Sequence, residues 1–182
     1  RSVPFTRELY IDHNDFMEVP VKKYFRLAPG KEVRLRYGYI LKCEEVIKND
    51  AGEIVELRCT VDHDTLGKQP TDRRVKGVIH WVSAEKCLDA EVRLYDRLFS
   101  VEHPDKVDEG QDFKSNINPD SLEIIKHAKV EPALKAVKSG ERYQFERVGY
   151  FNVDQDSTED HPVFNRIVSL RDSWARIARN SR

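Results

Sequence analysis

What the 182-residue chain has too little of narrows its chemistry first. Its three cysteines, Cys43, Cys59 and Cys87, are an odd number with no C-x-x-C pair, so neither a disulfide framework nor a zinc ribbon is expected. The six histidines are scattered, and none has a partner at metal-ligand spacing. His80, in GVIHWVS, reads as a core or hydrogen-bonded histidine. No apolar run approaches the ~20 residues of a membrane span, and no charged-then-apolar leader opens the chain. A cytoplasmic protein without a membrane partner is the expectation, and the start at Arg1 rather than at methionine fits a piece of a longer protein.

The catalytic signatures are missing as well. There is no G-x-x-x-x-G-K-[ST] phosphate loop, no G-x-G-x-x-G after a strand, no H-E-x-x-H and no G-x-S-x-G, so an enzyme reading gains little from the residues alone. Charge of one sign is missing too: 31 basic residues meet 32 acidic ones for a net charge of −1. Nonspecific nucleic-acid binders usually carry a basic excess. If this chain binds nucleic acid, its cations must be concentrated locally.

What is present is alternation. Hydrophobic residues make up 39% and charged residues 35%, which suits a globular domain with a wet surface. EVRLRYGYILKCEEVIK, NDAG and EIVELRCTV read as a strand, a turn and a returning strand, with Gly52 in the turn. RRVKGVIHWV and AEVRLYDRLFSV are two further strands, joined by SAEKCLD as a single helical turn with Ser83 as its N-cap. Four or five strands between residues 31 and 101 predict a small antiparallel barrel.

Residues 103–121, HPDKVDEGQDFKSNINPDS, lose periodicity and read as a linker or long surface loop. Beyond them stand SLEIIKHAKVE, a short helical EPALKAVKSG closed by Gly140, and two strands, RYQFERVGYFNV and PVFNRIVSL. A second β unit follows, which the opening VPFTRELYID could join across the chain. The tail RDSWARIARNSR reads as a last helical turn or a frayed end.

Within this pattern, Lys22, Lys23, Tyr24, Phe25, Arg26, Arg34 and Arg36 interleave cations with aromatic rings. In a continuous strand Val33, Leu35, Tyr37 and Tyr39 share one face and Arg34 and Arg36 the other, the two guanidinium groups roughly 7 Å apart. Single-stranded RNA is held by this vocabulary: bases on aromatic or guanidinium planes, phosphates on Lys and Arg. A solvated sheet face would look similar. Gln144, between Tyr143 and Phe145, shares its face with Glu146 and could equally be a surface amide.

KEVRLRYGYILKCEEV, VKGVIHWVSA, AEVRLYDRLFSV, INPDSLEII, YQFERVGYF and VFNRIVSLRDSWARI occur in an order that resembles the C-terminal anticodon-binding region of bacterial glutaminyl-tRNA synthetases, over nearly the whole chain. The resemblance implies an all-β fold of two antiparallel β-barrels with a few short helical turns. Residues 1–20 plus 103–182 would form the proximal barrel and residues 21–102 the distal one. It implies that the barrels grip the anticodon loop of tRNA(Gln). The catalytic domain upstream on the same chain would charge that tRNA with glutamine using ATP, so this stretch alone is expected to be inactive, to hold no cofactor and to be monomeric.

By the same resemblance, Arg34 and Arg36 match arginines at the first anticodon base, Arg26 an arginine at the third, and Gln144 the glutamine of the central uridine pocket. Lys22 would meet phosphate. Lys23 stands where better-known members have glutamine and Phe25 where they have lysine, so Phe25 would stack rather than pair. A further arginine of the central pocket would lie upstream of Arg1. A eukaryote-type glutamyl-tRNA synthetase region and a β-barrel that binds RNA or protein outside any synthetase remain alternatives.

Overall fold

The computed structural model describes residues 1–170. The chain divides into two compact units, one of Pro4–Glu85 and one of Arg1–Val3 with the stretch from Lys86 onward. The tail read as a helical turn, and the end of the sixth resembling segment, lie outside the described residues.

In the first unit, β1 (Leu9–Ile11) pairs antiparallel with β6 (Trp81–Ser83), while β2 (Glu32–Leu35), β3 (Ile40–Lys48), β4 (Ile54–Asp62) and β5 (Val78–Ile79) form a sheet in the order β4-β3-β2-β5. Its alternation is clean where burial demands it: Val33, Leu35, Ile40, Cys43 and Ile79 are all fully buried. Asn49 shapes the β3–β4 turn, where its Oδ1 accepts from the backbone N–H groups of Ala51 at 3.1 Å and Glu53 at 2.9 Å.

The second unit holds one sheet in the order β8-β7-β11-β10-β9, from β7 (Leu88–Tyr95), β8 (Leu122–Val130), β9 (Arg142–Phe145), β10 (Gly149–Val153) and β11 (Val163–Ser169). Ala90, Val92, Val130, Phe151, Val153 and Phe164 make its core, with Tyr143 and Phe145 packed against them. Phe145 stacks on Phe151 with ring centroids 4.4 Å apart, an offset aromatic pair that closes the inner face.

Several expectations need correction. The described strands form three sheets, none of which closes into a barrel, and the pairing is mixed: β2 lies parallel to β5 and β11 parallel to β7. Residues 90–95 run in β7, in the sheet of the second unit, and the opening strand pairs with β6 rather than with the C-terminal half. Both follow from pairing partners far apart in sequence, which periodicity does not encode. Ser83 is not an N-cap: it lies in β6, buried, with its Oγ 2.8 Å from the Thr6 hydroxyl. EPALKAVKSG contains only a 3-10 turn at Pro132–Leu134, and residues 103–121 are a surface excursion between β7 and β8, with their own 3-10 turn at Phe113–Asn116.

Candidate nucleic-acid interface

The run EVRLRYGYI is a hairpin rather than one strand. The ladder with β5 continues one residue past β2, since Arg34 N donates to Gly77 O and Arg36 N to Ile79 O, both at 2.9 Å. The chain then reverses at Tyr37, whose φ is 59°, with Gly38 N bonded to Leu35 O at 2.8 Å and Leu35 N to Tyr39 O at 2.9 Å. Val33 and Leu35 are fully buried as expected, but Tyr37 is 66% exposed. The tight turn takes it off the face assigned by alternation.

Arg34 is committed to the fold. Its Nη1 donates to Gly38 O at 3.1 Å and Thr65 O at 2.7 Å, and its Nη2 donates to Lys68 O. These bonds tie the loop after β4 to the hairpin. Thr65 adds a buried hydroxyl that accepts from Ile40 N at 2.9 Å and donates to Asp62 O at 2.6 Å. A guanidinium has five N–H donors, so three are used here among the described residues.

Arg36 is pinned through its main chain, because its carbonyl accepts from Trp81 Nε1 at 2.9 Å. Its guanidinium carbon lies 4.6 Å from the Tyr37 ring centroid, with Nη2 3.3 Å from the Tyr37 hydroxyl. Arg26 pairs its Nη1 with Asp15 Oδ1 at 2.8 Å and with Asn14 O at 3.0 Å. Asp15 is 1% exposed, and a carboxylate so buried needs a partner charge. Arg26 is therefore held from below.

The Lys22–Arg26 segment meets the Arg34 strand through Gly77. The Gly77 carbonyl accepts from Arg34 N, and a Cβ built on Gly77 would lie 2.2 Å from the Phe25 carbonyl oxygen. Only glycine allows that approach. Phe25 is 54% exposed, and Lys76 Nζ sits 5.3 Å from its ring centroid, a cation–π pair. Lys22 and Lys23 are exposed, Lys23 with φ 69°. Six of the seven residues expected at the site thus belong to one unit. Gln144 belongs to the other, exposed on β9 opposite Tyr150 between the half-buried Tyr143 and Phe145.

Arg73 gathers three carboxylates of this unit. Its Nε reaches both Glu32 oxygens, at 3.0 and 2.9 Å, its Nη2 meets Asp62 Oδ2 at 2.6 Å, and its Nη1 meets Asp72 Oδ1 at 3.1 Å. The Arg73 hydrogen bond holds the Asp62 carboxyl below the usual carboxylate range, and the Arg73 guanidinium is raised in turn by Glu32 and Asp62. Arg73, Lys76 and Gly77 were not singled out as site residues in the sequence, where RRVKGVIHWV reads as a strand and VKGVIHWVSA enters as one resembling segment. Tyr37 could have been found by asking which residue of R-Y-G-Y must reverse the chain.

Cys43 and Cys59 face each other across β3 and β4. Burial raises both thiols, Cys59 to about 12 with the Cys43 sulfur beside it contributing. Among the described residues, no group of three or more His, Cys, Asp or Glu could hold a metal ion.

Compared with known proteins, residues 1–62 and residues 78–154 each match a family described as tRNA synthetases class I (E and Q), anti-codon binding domain. Proteins named glutamine–tRNA ligase are similar: 56% identical in Pseudomonas putida over 96% of this chain and 31% of the relative, and 54% in Neisseria meningitidis over 96% of this chain and 32% of the relative. The Pseudomonas aeruginosa protein of that name is 55% identical over 97% of this chain and 32% of its own length. The chain spans about a third of the length of the curated relatives it matches.

Proposed function

The chain belongs to the anticodon-binding domain family of class I (E and Q) tRNA synthetases, and from that premise we propose that it grips the anticodon loop of tRNA(Gln) as part of a glutamine–tRNA ligase. The observation that carries the reading is the pairing of that family match with the cation and aromatic surface around Gly77, where Arg34, Arg36, Phe25 and Lys76 are supplied by adjoining segments. In this reading the catalytic domain, which activates glutamine with ATP, lies upstream on the same polypeptide. The parent acts as a monomer in the cytoplasm. The unit of Pro4–Glu85 corresponds to the family's distal barrel and the other unit to its proximal barrel.

Arg36 and Arg34 address the first anticodon base, because a guanidinium fork can pair with a base edge. Arg26, steadied by Asp15, serves the third base, with Lys23 and Phe25 beside it. Gln144 serves the central uridine, since an exposed amide can both donate to and accept from a uracil edge. Lys22 meets phosphate as a point charge.

The test is a fluorescence titration of the chain with RNA hairpins carrying the tRNA(Gln) anticodon loop, the tRNA(Glu) loop and a scrambled loop on one stem. Preference for the tRNA(Gln) loop is expected. Equal affinity for all three would reduce the surface to a general phosphate binder and overturn the reading.

A further inference from the structure

Cys43 and Cys59 stand directly opposite each other across β3 and β4, and the main chain shows which kind of antiparallel pair they form. Cys43 N donates to Lys31 O at 3.2 Å, and Cys43 O accepts from Gly30 N at 2.8 Å. Both backbone groups of Cys43 therefore point away from β4, which makes this a non-hydrogen-bonded pair. In such a pair the Cα atoms lie about 4.5 Å apart and the side chains on the shared face approach most closely. That separation falls inside the range of roughly 4.4 to 6.8 Å that a disulfide spans. Both thiols are free, and the two sulfurs are close enough to interact.

The two members differ in access. Cys43 is fully buried, whereas Cys59 is half-buried and lies on β4, the end strand of its sheet. The third cysteine, Cys87, belongs to the other unit.

We infer that Cys43 and Cys59 form a reversible cross-strand disulfide by exchange with a small-molecule disulfide of the oxidised-glutathione type. The Cys59 thiolate attacks one sulfur of the oxidant, forming a mixed disulfide and expelling one glutathione thiolate. The Cys43 thiolate then attacks Cys59 Sγ and expels the second. Two protein thiols are oxidised by two electrons, the oxidant is reduced to two thiols, and the two cysteine protons pass to the expelled thiolates. Burial keeps both cysteines protonated, so exchange in the folded chain is slow and proceeds through fraying of β4. Geometry governs the equilibrium rather than the rate. The inference is independent of the tRNA reading.

The test equilibrates the chain at pH 8, native and in denaturant, with mixtures of reduced and oxidised glutathione. Equilibrium is approached from reduced and from oxidised protein until the two agree, and acid-quenched samples are mapped by mass spectrometry. Expected are the loss of two hydrogens, a linked Cys43–Cys59 peptide and full reversal by dithiothreitol. The constant for closing the bond should be about tenfold or more larger in the native chain than in the denatured one, because the fold already holds the two thiols together. Cys87→Ser should behave as the parent chain, and Cys59→Ser, shown to be folded by a cooperative thermal melt, should lose the link. A closing constant in the native chain equal to or below that in denaturant would overturn the inference. So would a link through Cys87, or a glutathione adduct that persists on Cys59 with no internal bond.

Discussion

Arg34 Nη1 donates to the carbonyl oxygen of Thr65 at 2.7 Å, across 31 residues of sequence. With the bonds to Gly38 and Lys68 it makes this arginine the tie between the β2–β3 hairpin and the loop that follows β4. Arg34→Ala should consequently do two things that Arg36→Ala does not: speed amide exchange at residues 65–68 and lower the melting temperature. Hydrogen exchange of both variants checks this, and matching profiles would sink the assignment.

Both arginine variants should also lose about 1 to 3 kcal/mol of binding to the tRNA(Gln) loop, with preference at the first anticodon position relaxed. Lys22→Ala should weaken every loop about equally and reduce the salt slope by about one ion. Titrations of loop variants at several salt concentrations distinguish the two patterns. Uniform losses for Arg36→Ala would assign that residue to electrostatics alone.

Gly77→Ala should destabilise the first unit by about 1 to 3 kcal/mol, as overpacking does, because the added methyl would lie 2.2 Å from the Phe25 carbonyl oxygen and 3.0 Å from Val33 Cγ2. Backbone cannot retreat as the end of a flexible side chain can. A denaturant melt with unchanged midpoint would show that the Phe25 segment yields freely, and would detach it from the Arg34 strand.

The Asp62–Arg73 pair sets a direction of pH dependence. Asp62 has its carboxyl lowered in the folded state, first by the Arg73 hydrogen bond. The stabilisation it supplies is then present above the ordinary aspartate range, near pH ~4, and is lost as pH falls through the lower folded value. Asp62→Asn can keep the hydrogen bond its side chain accepts from Asp64 N while removing the charge. The variant should melt lower than the parent at pH 7, with the gap closing as the solution is acidified below pH ~3. A gap that stays constant over that range would show that charge at Asp62 contributes nothing.

Cys43 and Cys59 should resist alkylation in the folded protein at pH 8, since the thiolate is the nucleophile and burial keeps both thiols protonated. Denaturant should expose both to rapid labelling, read by mass spectrometry. Replacing Cys43 with Ala should lower stability by about 1 kcal/mol and leave RNA affinity unchanged. Rapid labelling of Cys59 in the native protein would contradict the burial assigned to it.

Much of the strand content was legible because burial on one face imposes period two: Val33 and Leu35, Tyr143 and Phe145, and the Asn49–Gly52 turn between β3 and β4 all follow from local pattern and turn chemistry. Arg34, Arg36 and Gln144 could be named as outward-facing on the same grounds. Local pattern carries no information on partners distant in sequence. It could not tell that β7 would pair in parallel with β11, that Arg73 would gather Glu32 and Asp62, or that Gly77 would bring the Phe25 backbone against the Arg34 strand. It also misassigned Tyr37, because alternation presumes that the chain keeps going, and only the packing of Gly38 against Leu35 and Trp81 decides where it turns. By itself the sequence determined which polar and charged residues alternate with the apolar ones; the tertiary structure decided which of them are held still and what holds them, since hydrogen bonds such as Arg34 to Thr65 form only after the chain has closed loops of dozens of residues.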